Sequence, residues 1–447
     1  MKEYDLQTFL KKYSNSTVDF FRFNGNYGDS LIWHGTMTLL NKLSIQVNYV
    51  DLHSSIDNGI LFIDGGGNFV DYYSDVSDFL TLKHKKYKEI VILPHTINGE
   101  KQKEFLKELG SNVTIFCREE TSFNFVKDNS QRVQCYLSQD CAFYNDISEY
   151  KKVGKGTLNA FRGDSESTFD KKPIDNIDIS YDGWCKKPLG DFLVKISDYD
   201  EIRTDRLHVA IAGTLLNKKV ILFPNSYYKN LSVYEYSLKK YPDTSFVYAK
   251  DINLVTFKNI NTVFADYLKN EKSFQSDHSL FDLFKEIVKI NYDIWNLEDR
   301  ARNISSSFQE VSETKKKIDT DNQSRNDTIR KLDLNFAYLF SNDDLSVSQF
   351  VSESPATLID RLSIFYIRKH MISKILGCIE NDTVLIKLYE QKHQLISVQI
   401  EFLGKYFDIF ISGLKDKKMF FKVFNPVKIY NDPKIRKYID KLQNDSC

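Results

Sequence analysis

Three short stretches hold the residues whose types and spacing could do chemistry. The first is Thr204-Asp205-Arg206-Leu207-His208, followed by an apolar run from Val209 to Leu216 and a strand-like Lys219 to Phe223. Thr204 reads as an N-cap, which sets Arg206 and His208 in the first helical turn. Unpaired backbone N–H groups and the helix dipole favour negative charge there. An arginine and a proton-carrying imidazole added at that point make a phosphate or carboxylate site, at the carboxyl end of a strand read over 192–197 (FLVKIS). Lys229, in the loop after the next strand, reaches the same anion. The plainer reading has Arg206 paired with Asp205 or Asp200 and His208 packed.

The second stretch, Asn24 to Ser30 (NGNYGDS), lies between a predicted strand and a predicted helix. Its glycines let backbone approach a ligand, and Asp29 or Ser30 caps the helix; an ordinary capped turn is the alternative. The third is Asp64 followed by Gly65, Gly66 and Gly67. Three glycines after a buried strand point to close approach of a ligand or of another loop, or to a tight crossover. Neither GxGxxG nor GxxxxGK[ST] occurs, which disfavours dinucleotide and P-loop nucleotide sites. No His, Cys and carboxylate cluster has metal-ligand spacing, so no metal and no cofactor is expected.

Short apolar runs position these stretches: 18–23, 59–64, 89–94, 113–117 and 133–137, then 157–164, 176–180, 192–197 and 219–224. Amphipathic helix-length segments, notably Ser30 to Leu43 and Lys101 to Leu109, separate most of them, so a mostly parallel α/β sheet is predicted. The charged segment Ser148 to Lys155 separates a domain at 1–150 from a second at 151–272. From about Ser273 long helical stripes replace the strands, as in apolar positions 280, 281, 283, 284, 287 and 288, which predicts an all-helical domain over 273–447.

The chain has 447 residues, 42% hydrophobic and 14% aromatic, ample for packed cores and too apolar for general disorder. Lys plus Arg and Asp plus Glu are equal at 61 each, so no global charge attracts nucleic acid or an anionic bilayer. The N-terminus lacks a secretory apolar run, and six cysteines show no CxxC. A cytoplasmic protein with free thiols is expected.

These stretches, with Phe116 to Glu120 (FCREE) and Ser138-Gln139-Asp140, resemble the polysaccharide pyruvyl transferase family over roughly residues 15 to 265. The shared hallmarks are an N-x-G-D turn (Asn26, Gly28, Asp29), the glycines 65–67, the Arg118-Glu119 pair, an Asp140-x-Ala142 segment, the Arg206-Leu207-His208 start and the later Lys229. The segment from Val220 to Asn230 is less rich in Gly and Pro than is common in the family, and Phe161 to Asp164 (FRGD) matches only some members. The resemblance implies two Rossmann-like domains in a GT-B-like arrangement with the site between them. It also implies transfer of the carboxyethylidene unit of phosphoenolpyruvate, the donor substrate, onto two hydroxyls of a glycan sugar. That chemistry needs a proton for the methylene carbon, a task suited to His208, and anion contacts, suited to Arg206, Lys229, Arg162 and Arg118. Asp29 would orient or deprotonate the acceptor hydroxyl. The rivals are a GT-B glycosyltransferase using a nucleotide sugar and a non-catalytic assembly scaffold. Expected partners are a glycan or lipid-linked oligosaccharide and no nucleic acid, with peripheral contact at the inner membrane face among the expectations; the oligomeric state is unassigned.

In the helical part, Asp319, Asn322, Gln323, Asn326, Asp327 and Arg330 form one stripe at i, i+3, i+4, i+7, i+8 and i+11. Amides and carboxylates repeated on one face suggest a buried network or a ligand wall, completed by Asp299, Arg302, Asp360, Arg361 and Asn431. These segments resemble an uncharacterised helical family of bacterial surface-glycan loci over about 290 to 435, which implies only a surface-glycan pathway; the stripe itself predicts a second polar site, and with that pathway a second site serving the same glycan.

Overall fold

The computed structural model describes residues 4–55, 59–164, 166–168, 172–180, 188–248, 255–269, 280–303, 307–340, 348–423, 438 and 441. The chain divides into two compact units, Met1–Ala249 and Lys250–Cys447. The first is α/β with two parallel sheets and the second is dominated by helices.

The first unit opens with α1 (Leu6–Leu10), β1 (Thr17–Phe21), α2 (Tyr27–Lys42), β2 (Gln46–Val50), β3 (Ile60–Ile63), β4 (Gly66–Val70) and α3 (Asp75–Lys83). It continues with β5 (Glu89–Asn98), α4 (Glu100–Glu108), β6 (Val113–Cys117), α5 (Glu120–Asn129) and β7 (Gln134–Leu137). The strand order is β2-β1-β3-β5-β6-β7, all parallel. Helices cover both faces, so central strands are apolar without alternation; from Ile90 to Thr96 every residue of β5 is buried. β3 pairs with the first half of β5, and after Asp64 and Gly65 the chain pairs again with its second half as β4.

The second sheet is built from β8 (Thr157–Asn159), β9 (Glu201–Thr204), β10 (Lys219–Leu222) and β11 (Thr244–Phe246), in the order β11-β10-β9-β8, again parallel. Helices α6 (Gly190–Ser197), α7 (Leu207–Leu215) and α8 (Lys229–Val233) accompany it, and a π turn, Tyr234–Leu238, follows α8. Two expected strands are absent. The run 192–197 is helix α6, which buries Phe192, Leu193 and Ile196 and leaves Val194 exposed, a helical and not an alternating pattern. Residues 176–180 form no strand either. The strand that leads into α7 is β9, Glu-Ile-Arg-Thr, too polar to be recognised by apolar periodicity.

The second unit contains α9 (Phe257–Lys269), α10 (Leu280–Ala301), α11 (Phe308–Leu339), α12 (Pro355–Cys378) and α13 (Thr383–Lys415), with one short pair, β12 (Gln349–Phe350) and β13 (Met419–Phe420). Sequence-coded caps set the helix starts: Ser307 with Glu310 forms a capping box, and so does Ser354 with Thr357, followed by Pro355 in the first turn. No helix among the described residues is long and apolar enough to cross a membrane.

Gly35, mid-way along α2, shows how tightly the first unit packs. A Cβ there would lie 2.0 Å from the carbonyl oxygen of Cys141, in the 3-10 turn Cys141–Tyr144. Backbone cannot swing aside as a side chain can, so Gly35→Ala is expected to cost about 1–3 kcal/mol in chemical denaturation despite alanine's better helix propensity. An unchanged or raised midpoint would contradict this packing.

Candidate active site

A cavity of about 220 Å³ opens in the first unit at the carboxyl ends of strands from both sheets. Arg118, Arg162, Arg206, His208 and Lys229 all line it. Asn26, Gly28, Asp29 and Gly67 form other parts of its wall. The second sheet supplies Arg162 just beyond β8, Arg206 and His208 beyond β9, and Lys229 beyond β10.

Each anchor is local. In α2 the N-cap is Asn26: its Oδ1 accepts from Gly28 N–H at 2.7 Å, while Oδ2 of Asp29 accepts from Asn26 N–H at 2.8 Å. Asp29 therefore completes a capping box and is not itself the N-cap. Thr204 is not the cap of α7. The N-cap position belongs to Arg206, and Thr204 Oγ1 accepts from Arg206 N–H at 2.9 Å while donating to Ala160 O at 2.6 Å, tying β9 to the chain beyond β8. His208 stands in the first turn of α7, as expected. Gly28 is needed for it: a Cβ on Gly28 would come 2.6 Å from His208 Nδ1.

Of the three glycines, only Gly67 reaches the cavity, where a Cβ would be 3.1 Å from Arg118 Nη2. Gly65 abuts Pro94 O and Gly66 abuts the Phe23 ring, with a Cβ at 2.9 and 2.6 Å respectively. Those two serve the passage from β3 to β4.

Arg118 is 1% exposed and hydrogen-bonded on two nitrogens, Nε to Thr96 Oγ1 and Nη1 to Asp140 Oδ2, both at 2.8 Å. His208 Nε2 lies 3.4 Å from the same Asp140 oxygen. Burial pushes the Asp140 carboxyl up, but the His208 contact and the Arg118 charge outweigh it and hold the group well below the usual carboxylate range. Nη2 of Arg118 donates to no described residue and faces the cavity beside Gly67.

The other cations are more fully engaged. Arg162 spends Nε and Nη2 on Asp164, at 2.6 and 3.0 Å, and Nη1 on Glu166 at 2.5 Å. Arg206 holds Asp178 in a two-pronged pair at 2.5 and 2.6 Å and touches Asp164 at 3.2 Å. It does not pair with Asp205 or Asp200 through any of these bonds. Glu166 also accepts from Lys229 at 2.8 Å and from Tyr73 at 3.3 Å. Burial lowers Lys229 to about 8, with Glu166 opposing the shift. Burial would raise Glu166, yet Lys229 and Arg162 bring it down to about 2. Asp164, Glu166 and Asp178 were not singled out from sequence. Asp164 was visible beside Arg162, but Glu166 has no local signal and Asp178 sits in a run misread as a strand.

In the helical unit the expected convergence takes another form. Asp319, Asn326 and Asp299 are exposed, and Asn322, Gln323 and Asp327 are half-buried, with Gln323 bonded to Asp327 at 2.7 Å. Arg302 pairs with Glu298, and Arg361 with Glu353. Asn431 lies outside the described residues. Asp360 is buried, but its partners are Arg325, through Nε at 2.8 Å and through Nη2, and Asn291 at 2.8 Å. Asn291 also donates to Ser363. The buried face of α11 runs through Thr314, Ile318, Thr328 and Leu332, so Arg325 and not the amide stripe turns inward.

Residues 26–227 match the family model described as polysaccharide pyruvyl transferase, and residues 282–423 match that described as a protein of unknown function, DUF4254. The two matches fall on the two segments whose residues carry the resemblances seen in the sequence. A crystal structure of a functionally uncharacterised protein from Klebsiella pneumoniae is similar at 30% identity, covering 54% of this chain and 96% of that one, with a TM-score of 0.47. No curated protein matches the chain.

Lys229 gives the cavity a testable pH dependence. Its charge is present below about 8 and lost above. Sulfate, which does not titrate in this range, should bind several-fold more weakly as pH rises from 7 to 9, and Lys229→Met should flatten the profile. The stability sign is opposite: the unfolded chain keeps this proton up to the ordinary 10.5, so Lys229 contributes stability that grows from about pH 8 to 10.5. Sulfate affinity that stays level in the parent protein would remove Lys229 from the anion site.

Proposed function

We propose that the α/β unit is a transferase of surface-polysaccharide biosynthesis that moves the carboxyethylidene unit of phosphoenolpyruvate onto two hydroxyls of a glycan sugar. The observation that carries this reading is the meeting in one cavity of Arg118, Arg206 and His208, all within the segment that matches the pyruvyl transferase family, with Lys229 just beyond its end. In this reading the two sheets work as the halves of a GT-B-like enzyme, and the acceptor is a glycan or a lipid-linked oligosaccharide. The protein works in the cytoplasm, in keeping with Cys117, Cys135, Cys141 and Cys378 being free thiols.

His208, protonated, gives its proton to the methylene carbon of the enol, and positive charge develops at the adjacent carbon. Asp140 sets the imidazole orientation by accepting from Nε2. A sugar hydroxyl adds to the cationic carbon and passes its proton to Asp29, whose Oδ2 is engaged by Asn26. Phosphate then leaves as the C–O bond breaks, and the second hydroxyl closes the ketal, its proton leaving with the phosphate. Arg118, through its open Nη2, and Arg206 hold the donor's carboxylate and phosphate, with Lys229 and Arg162 as supporting charges.

His208→Ala and Arg206→Ala should each lower transfer by about 10² to 10³, read as ketal product by mass, with the folded circular-dichroism spectrum retained. Near-normal turnover in both would move the site elsewhere.

The proposed steps use protein groups alone, so EDTA should leave turnover unchanged. Loss of activity on chelation, restored by Mg²⁺ or Mn²⁺, would instead favour a nucleotide-sugar donor.

A further inference from the structure

Helix α13 is apolar on two opposite faces. One face, with Ile400, Gly404, Phe407, Ile411 and Leu414, is buried within the helical unit. At about 100° per residue, Leu388, Leu395, Phe402 and Ile409, spaced by seven, fall roughly 180° from it, joined by Val384 and Val398. These side chains are in water: Val384 is 79% exposed, Leu395 58%, Phe402 71% and Ile409 60%. A helix apolar on both sides belongs between two partners, and a seven-residue repeat is the spacing of a helix that packs along another helix. Scattered surface leucines need no explanation; a stripe sustained from 384 to 409 does.

The flanking charges identify the partner. The residue preceding each of the four heptad positions is, in order, Lys387, Gln394, Glu401 and Asp408, so one edge of the stripe runs from basic to acidic along the helix. Laid antiparallel on its own copy, this edge faces itself with ends exchanged. Lys387 then meets Asp408 of the second copy, and Gln394 meets its Glu401. The same register sets Val384 against Ile409 and Leu395 against Val398. Gln391 falls opposite Phe402, and Lys405 opposite Leu388, where its long stem can cover the leucine with the ammonium at the edge. We propose that α13 is a self-association surface, pairing antiparallel with α13 of a second copy of this chain across a two-fold axis.

Sedimentation velocity on the full-length chain over a micromolar range tests this. A dimer is expected, and Leu395→Glu or Phe402→Glu should raise its dissociation constant by roughly 100-fold or more, because each places an unpaired carboxylate in the paired stripe. Both positions face solvent in the monomer, so the variants should keep the parent's circular-dichroism spectrum and a cooperative unfolding transition, lowered only by the loss of the dimer's mass-action stabilisation. The register has its own readout: Gln394→Lys, which sets a second cation against Glu401 of the second copy beside that residue's pair with its own Lys405, should tighten the dimer, and Gln394→Glu should loosen it. A chain that sediments as a monomer throughout, even one that binds vesicles or another protein through this face, overturns the proposal. A dimer indifferent to Leu395→Glu and Phe402→Glu overturns it too, and a dimer loosened by Gln394→Lys overturns the antiparallel register.

Discussion

The ion pair of Arg118 and Asp140 is the contact on which the active-site unit depends. Arg118 is 1% exposed and Asp140 is not exposed at all, so neither charge could stay in place without the other. Arg118 stands at the end of β6 and Asp140 just beyond β7, both in the first sheet, whereas His208 comes from α7 of the second. The shared Asp140 oxygen therefore fixes more than a side-chain rotamer: it sets how the His208 end of α7 meets the first sheet. Gly28 completes the fit, because no larger residue leaves room for the imidazole against α2. Truncating one member of such a pair typically costs about 3–5 kcal/mol, since the remaining charge is left buried and alone.

Around this pair the cavity keeps its charges compensated. Asp164, Glu166 and Asp178 each take bonds from at least one of Arg162, Arg206 and Lys229. The carboxylates hold the guanidinium planes in fixed orientations in the absence of any ligand, which removes part of the ordering cost of binding one.

What the sequence discloses follows from whether the relevant residues are neighbours. Arg206 and His208, or Asn26, Gly28 and Asp29, announce themselves because a helix start concentrates its functional groups within a few positions. The long apolar strands are equally plain, since burial on both faces leaves no polar alternation in β5. Asp178 could not be read in the same way: it reaches Arg206 from 28 positions away, out of residues 176–180, which form no strand. The segment 192–197 shows the ambiguity of short apolar runs, where Phe192, Val194 and Ile196 alternate as in a strand while Phe192, Leu193 and Ile196 share a helical face. On α11 the polar stripe lies along one helix, part exposed and part half-buried. The inward position fell to Arg325, because the partner it needs, Asp360, lies on another helix, and helical period alone does not say which edge of a polar face will meet it.

The way the Glu166 carboxylate binds four different donors, Tyr73, Arg162, Asn225 and Lys229, bears on the traffic of anions through the cavity. A ligand that takes over Arg162 or Lys229 must displace a carboxylate already seated there, so entry is an exchange of one anion for another and its net gain is smaller than the number of cations suggests. Departure is correspondingly easier, because the internal carboxylate returns to its place and no bare guanidinium is left behind. A resident counter-ion of this kind trades grip for exchange, letting a site lined with arginine release an anion that a fixed cationic trap would keep.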